Sequence, residues 1–168
     1  MDQELMMKLI VEKVMEAMKA EAKPAAPAPS GDKVTAADYP LSEKSAERLQ
    51  SPTGKKFTEM TKAGLLAGAI NPEDMRISPE TLEMQAQVAE SVDRDAFANN
   101  MRRAAELIAV GDDRLLEIYN ALRPYRSTKA ELIAIAEELE TQYGAKISGG
   151  LVREAAAVYE ARGRLKKD

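Results

Sequence analysis

Residues 102–131 read RRAAELIAVGDDRLLEIYNALRPYRSTKAE. Three apolar-periodic segments are punctuated here within thirty residues: one ends at Val110-Gly111, a second starts behind Asp112 and is stopped at Arg123-Pro124, and a third starts behind Thr128. Glu131 stands three residues after Thr128, where a carboxylate completes a capping box. The stretch therefore spells two consecutive helix hairpins. The loop between its second and third helices, Arg123 to Thr128, carries two guanidinium groups and a phenol that a plain turn would not require. Arg and Tyr are favoured in interface cores, where a planar fork and an amphipathic ring give oriented contacts at low entropic cost. An Arg at a helix C-terminus is also ordinary dipole chemistry, so Arg123, Tyr125 and Arg126 are read as docking or loop-fixing residues.

Composition points the same way. The chain has 168 residues, enough for one modest domain with an appendage. Aromatics make up only 4% and Trp is absent, while Ala, Glu, Leu and Met abound, so the expected fold is an all-α small helical bundle. A net charge of -4 lacks the cationic field that nucleic acid requires. The chain has no Cys and no His, which removes thiolate chemistry, the commonest metal ligands and the usual neutral-pH general base. Lack of disulfides fits a reducing cytoplasm. No apolar run approaches the roughly 20 residues needed to cross a bilayer, and the acid-containing N-terminus does not resemble a secretory signal. The basic residues Arg162, Arg164, Lys166 and Lys167 are expected to serve the last turn of the final helix.

The N-terminal end divides into two pieces. Residues 1–20 place Met7, Val11, Val14, Met15 and Met18 on one helical stripe, with Ile10 beside it. An isolated helix of this size is marginal, so it needs a surface to lie on, and Met suits a groove that is not a rigid match. Residues 21–37 include the Pro/Ala run Lys23 to Ser30, biased toward extended polyproline II. A tethered amphipathic helix without a strongly basic face favours a protein partner over lipid, with packing on its own domain as the other reading.

Residues 38–168 form the expected helical domain. Asp38-Tyr39-Pro40-Leu41 reads as extended chain, Ser51-Pro52-Thr53-Gly54 as a turn, and Thr61 as the cap of a short helix ending near Gly68. Asn71-Pro72 and Ser78-Pro79 each place a capping side chain before a Pro at the first helical position. Leu82, Ala86 and Ala89 continue the second of these helices. Asp93 is expected to cap a longer helix packing through Phe97, Met101, Ala104, Ala105 and Ile108, with Arg102, Arg103 and Glu106 off that face. The next apolar sets are Leu115, Leu116, Tyr119 and Leu122, then Leu132, Ile135, Ala136, Leu139 and Tyr143 closed by Gly144, and last Leu151, Ala155, Val158 and Tyr159. Short connections between five or six such helices make antiparallel neighbours.

Nothing here assembles a catalytic site. Asp112-Asp113 is read as helix capping, Glu137, Glu138 and Glu140 as a solvated face, and Ser148-Gly149-Gly150 as a helix start, since it lacks the Lys-Ser/Thr ending and preceding strand of a phosphate loop. No nucleophile, base and oxyanion donors come together, and the expected catalytic, cofactor-binding and metal-binding residues of this chain are none.

The block from Asn100 to Ile108, followed by Asp112-Asp113-Arg114 and Glu117 to Thr128, resembles the small subunit of adenosylcobalamin-dependent diol and glycerol dehydratases. Asp38 to Leu41, Asp74 to Leu82 and Val152 to Ala156 support the likeness, which runs from about Val34 to the C-terminus. Gly111, where the family usually has Pro, and Ser148-Gly149-Gly150 depart from the pattern. The resemblance implies an all-helical subunit of a heterohexamer with two copies each of large, medium and small chains. It implies a hydro-lyase in which partner chains hold the diol and the adenosylcobalamin, and in which coenzyme radical chemistry turns the diol into an aldehyde. This chain would be non-catalytic, with Tyr39, Arg76, Arg123, Tyr125 and Arg126 as candidate interface residues.

Glycerol-type small subunits resembling this one begin close to the Tyr-Pro-Leu motif, whereas propanediol-type ones carry an amphipathic extension and linker associated with bacterial microcompartments. The extension here favours the propanediol type, placed in the bacterial cytoplasm inside a microcompartment, with the helix docking on shell or other cargo. The alternatives are a glycerol dehydratase small subunit and a stand-alone helical adaptor.

Overall fold

The computed structural model describes residues 32–167, which form seven α-helices and four short 3-10 turns and no strand. The helices are α1 (Leu41–Lys44), α2 (Lys62–Leu66), α3 (Pro79–Glu90), α4 (Asp95–Leu107), α5 (Asp112–Ala121), α6 (Lys129–Gln142) and α7 (Lys146–Ala161). The fold is all-α, as the composition and periodicity predict. The amphipathic stripe of residues 1–20 and most of the Pro/Ala segment lie outside the described residues.

Local punctuation explains most boundaries. Ser78 and Thr128 accept the backbone N–H of Thr81 and Glu131 respectively, and the Glu131 carboxylate takes the Thr128 N–H at 2.7 Å, closing the expected capping box. Thr61 caps α2 through Gly64 N–H, and Gly68 ends that region at φ 70°. The Asn71-Pro72 signal yields only a 3-10 turn, Pro72–Met75, because Arg76 is already extended.

The boundaries between α3 and α4 and at the start of α7 also differ from the sequence reading. Asp93 does not cap α4: it has φ 58°, and the N–H groups of Asp93 and Arg94 bond back to the carbonyls of Glu90 and Ala89. That is the hydrogen-bond pattern with which a left-handed residue closes a helix, so Asp93 terminates α3, a role Asp tolerates better than most side chains. Helix α7 begins at Lys146, before Gly149-Gly150, and its buried residues are Ser148, Gly149, Val152 and Ala156, with Leu151 turned out. The first turn has no side-chain cap of its own. Glu106, on α4, accepts the N–H groups of Ile147 and Ser148 at 3.0 and 2.8 Å, so a neighbouring helix completes it.

The larger core joins Val110, Ile118, Leu132, Ile135, Leu139 and Val152, where α5, α6 and α7 converge. Of the expected stripe, Leu132, Ile135, Ala136 and Leu139 are buried on α6, while Tyr143, its C-cap, is half-buried against the same core. Gly149 sets the approach of α7 to α6, since a Cβ there would lie 2.5 Å from Glu140 Cγ and 3.0 Å from the Ala136 carbonyl oxygen. A second cluster gathers Val34, Leu41, Leu49 and Met84, and a third joins Ala86 and Ala89 of α3 to Ala98 of α4.

Ion pairs clamp the helices. Arg102 bridges from α4 to Glu83 and Glu90 on α3. Arg114 of α5 reaches Glu138, and Arg153 of α7 binds Glu140 with two contacts of 2.9 and 2.8 Å. Glu138 and Glu140 are therefore half-buried partners rather than a solvated face; Glu137 alone of the three is exposed.

Candidate docking surface

The Arg123–Thr128 loop is built from both ends of the larger core. Ser127, buried, donates its hydroxyl to the Ala121 carbonyl at 2.9 Å, and the Tyr159 hydroxyl donates to the Leu122 carbonyl at 2.6 Å. The chain after α7 runs beside the loop: Tyr125 N–H donates to the Arg164 carbonyl at 2.8 Å, and Lys166 N–H to the Ser127 carbonyl at 2.9 Å. Arg164 donates to the Tyr125 hydroxyl at 2.6 Å, with its guanidinium carbon 5.4 Å from the ring centroid. The last turn of α7 holds no cation: Arg162 follows it as the C-cap, and Arg164 serves the loop.

These contacts hold Tyr125 at φ 65°, a left-handed conformation that a bulky residue adopts only when its surroundings impose it. Tyr125 is thereby the loop-fixing residue of the three. Arg123 and Arg126 differ from it: both are exposed, and neither guanidinium pairs with any group among the described residues.

Tyr39 and Arg76 sit elsewhere. Tyr39 is 64% exposed, and Arg76 pairs with Asp112 at 2.7 Å with both side chains largely in solvent. Asp112 is the first residue of α5 rather than its cap; Gly111 holds that position with φ -62° and ψ 147°. A proline would fit the same angles, so Gly111 keeps the helix start and adds only backbone freedom.

Both Tyr39 and Arg76 line an open groove of about 920 Å³. Its walls include Phe57, Met60, Met75, Ile77, Val92 and Phe97, contributed by the 57–60 turn, the 72–77 segment and the α3–α4 corner. Sequence periodicity missed this feature. The periodicity places Phe97 on the packed face of α4, yet it is 51% exposed because Ala98 takes the buried position. Leu116 and Tyr119, assigned to the core side of α5, are 67% and 71% exposed, and Ile118 is buried instead.

One wall is fixed by a polar knot. Asp74 accepts from Thr53 Oγ1, from Lys55 Nζ at 3.0 Å and from Asn71 N–H at 2.8 Å. These donors, Thr53 foremost, hold its carboxyl down at about 2, from an ordinary 3.8. Glu90 is likewise lowered to about 2, chiefly by Arg102, and Glu140 is lowered by Arg153. No arrangement of these groups aligns a base with a nucleophile; each carboxylate is satisfied by a cation or a backbone donor, which is the chemistry of support. The geometry thus offers a shaped, mostly apolar groove and an ordered loop whose Arg123 and Arg126 guanidinium groups are unpaired among the described residues, both suited to holding another protein.

Comparison with known proteins agrees. The family described as "Dehydratase small subunit" matches residues 34–166. The chain is 50% identical over 156 residues to the propanediol dehydratase small subunit of Salmonella typhimurium (strain LT2), covering 92% of this chain and 90% of that protein. It is 51% identical over 147 residues to the Citrobacter freundii protein of the same description, covering 88% and 86%. Both alignments span more of the chain than residues 34–168 can supply, so both run into the N-terminal segment. A helical chain of this size, clamped by support chemistry and matched over nearly its whole folded length, belongs to the dehydratase small subunit family and is part of a diol dehydratase complex.

Proposed function

We propose that the chain is the non-catalytic small subunit of an adenosylcobalamin-dependent propanediol dehydratase, assembled with two copies each of large, medium and small chains. The observation that carries this reading is the half-identity to two propanediol dehydratase small subunits over about nine-tenths of each chain. The description of those relatives as propanediol dehydratase subunits supports propane-1,2-diol as the substrate, and we extend the reading to 1,2-diols, with glycerol second, dehydrated to aldehydes. The coenzyme supplies the radical chemistry when bound. We assign it to the partner chains, because this chain has no His or Cys to offer a cobalt and its groove is open and mostly apolar, with the one carboxylate in its lining, Asp74, already bonded to Thr53, Lys55 and Asn71.

Within that complex the chain's residues position rather than react. Arg123 and Arg126 meet carboxylates of the large chain, Tyr125 keeps their loop in shape, and Tyr39 and Arg76 belong to the groove side of the same contact. Residues 1–20 form the element that docks the complex in a bacterial microcompartment, in the cytoplasm. Support for this is the Met-rich stripe, its Pro/Ala tether, and alignments to propanediol-type relatives that enter the same segment.

Omission assays test the reading. Large and medium chains with this chain and adenosylcobalamin should convert propane-1,2-diol to propanal, with a higher kcat/KM than for glycerol. The purified small chain with the coenzyme should convert neither. Dehydration by the small chain alone would overturn its non-catalytic assignment.

A further inference from the structure

We infer that the segment after α7, Gly163 to Lys166, is a strap that presets the Arg123–Thr128 loop for docking. Residues outside the loop thereby position its two free arginines, and the docking half of this inference rests on the function proposed above.

The chain leaves α7 through a left-handed glycine. Gly163 has φ 60°, its N–H donates to the Glu160 carbonyl at 3.2 Å, and the Arg164 N–H donates to the Tyr159 carbonyl at 2.8 Å. That pair of bonds closes the helix and turns the chain aside. Leu165 then packs against the larger core. On either side of it, the Arg164 carbonyl accepts from the Tyr125 N–H and the Lys166 N–H donates to the Ser127 carbonyl. The helices flanking the loop have separate ties to α7. Lys129, first in α6, pairs with Glu160 at 2.7 Å, and Leu122, the C-cap of α5, accepts from the Tyr159 hydroxyl. The contacts of the strap fall instead on the loop itself.

Their effect concentrates at Tyr125. A non-glycine residue enters the left-handed region only a few per cent of the time. Tyr125 sits there at φ 65° with its side chain 51% exposed, so burial of the ring does not hold it. The holding contacts come from Arg164, whose carbonyl takes the Tyr125 N–H and whose guanidinium reaches the Tyr125 hydroxyl and covers its ring. Arg123 and Arg126 flank Tyr125 in sequence, so its backbone angle sets the direction in which one guanidinium leaves relative to the other. The apparent affinity of a partner falls with the fraction of chains in the competent form. If Tyr125 without the strap returned to ordinary left-handed populations, that affinity would drop about ten-fold or more.

Arg164→Ala in the full chain and a chain truncated after Gly163 test this. Both should keep the far-ultraviolet dichroism of the unmutated protein. The informative amide is that of Arg126, whose acceptor is the Arg123 carbonyl inside the loop rather than any atom of the strap. Its hydrogen exchange should quicken in both variants, more on truncation, which also removes the backbone bonds. Capture of the truncated chain by a tagged large–medium pair should fall about ten-fold. Adding Tyr125→Gly to the truncated chain should bring capture back to within about three-fold of the unmutated protein, because glycine enters the left-handed region as readily as the right-handed one. Unchanged exchange at Arg126 would show that the loop orders itself and overturn the strap. Faster exchange with undiminished capture would overturn its role in docking. Lost capture that Tyr125→Gly does not restore would place the strap or the Tyr125 ring directly against the partner, contrary to a positioning role. Should the truncated chain fail to fold, Arg164→Ala decides: faster Arg126 exchange and lower capture at unchanged dichroism support the strap, and no change in either overturns it. Failure of the unmutated chain to be captured would sink the proposed function and the docking half of this inference, while the exchange result would still decide whether the strap orders the loop.

Discussion

Gly149 and Gly150 are adjacent, yet the structure gives them different tasks. A Cβ at Gly149 would press on Glu140 Cγ, which Arg153 holds in place, and on a backbone oxygen that cannot turn away. Around Gly150 nothing lies within 4 Å. Gly149→Ala should therefore destabilise the fold by about 1–3 kcal/mol through overpacking. Gly150→Ala, exposed within α7, should be neutral or stabilising by up to about 1 kcal/mol. Paired urea melts measure both, and a reversed order would disprove the close approach of α6 and α7. Charged residues divide in a similar way. Asp74 and Glu90 are held near 2 in the folded chain, below their ordinary 3.8 and 4.5. A depressed carboxylate contributes stability that is complete above its unfolded value and is lost as pH falls through the folded one. The chain should thus lose stability between about pH 4.5 and 2, and Asp74→Asn should flatten that slope. Arg123→Ala with Arg126→Ala should leave the far-ultraviolet dichroism unchanged while weakening assembly; equal losses in both would return these residues to the fold.

Among the elements, α7 shows how a helix can be specified from outside its own sequence. Its start has no capping side chain, and Glu106 supplies two acceptors across 41 and 42 residues. Glu106→Ala should cost about 0.5–2 kcal/mol, the range for loss of a cap, with faster exchange at the Ile147 and Ser148 amides. Unchanged exchange there would show that the contact does not hold the helix end. The same contact explains a limit of sequence reading. Periodicity located α7 but shifted its buried face by one residue, because Lys146 to Gly149 carry no local start signal. At Asp93 the acid before an apolar run reads as a cap, and only the left-handed backbone reveals a terminator. By contrast, Thr61, Ser78 and the Thr128–Glu131 box were legible, since both partners of each contact lie within three residues.

At the scale of the molecule, helical composition and hairpin punctuation sufficed for an all-α fold. The α6 stripe was legible because it faces a core made by the chain itself. Phe97, Leu116 and Tyr119 lie outside the core for the opposite reason: an apolar side chain left on the surface has the same periodicity as one packed in the core. Of the interface candidates, the structure sets Arg76 and Tyr39 at the groove and Arg123 past the end of α5, and gives Tyr125 a loop-fixing part. Deleting residues 1–20 should leave assembly and turnover intact while reducing shell association; unchanged localisation of the truncated chain would remove the encapsulation role. The most direct test of the chain as a docked, non-catalytic subunit is the native mass of the complex copurified with the large and medium chains. A stable assembly containing equal numbers of all three is predicted, and a stable, fully active large–medium pair that never takes up this chain would contradict it.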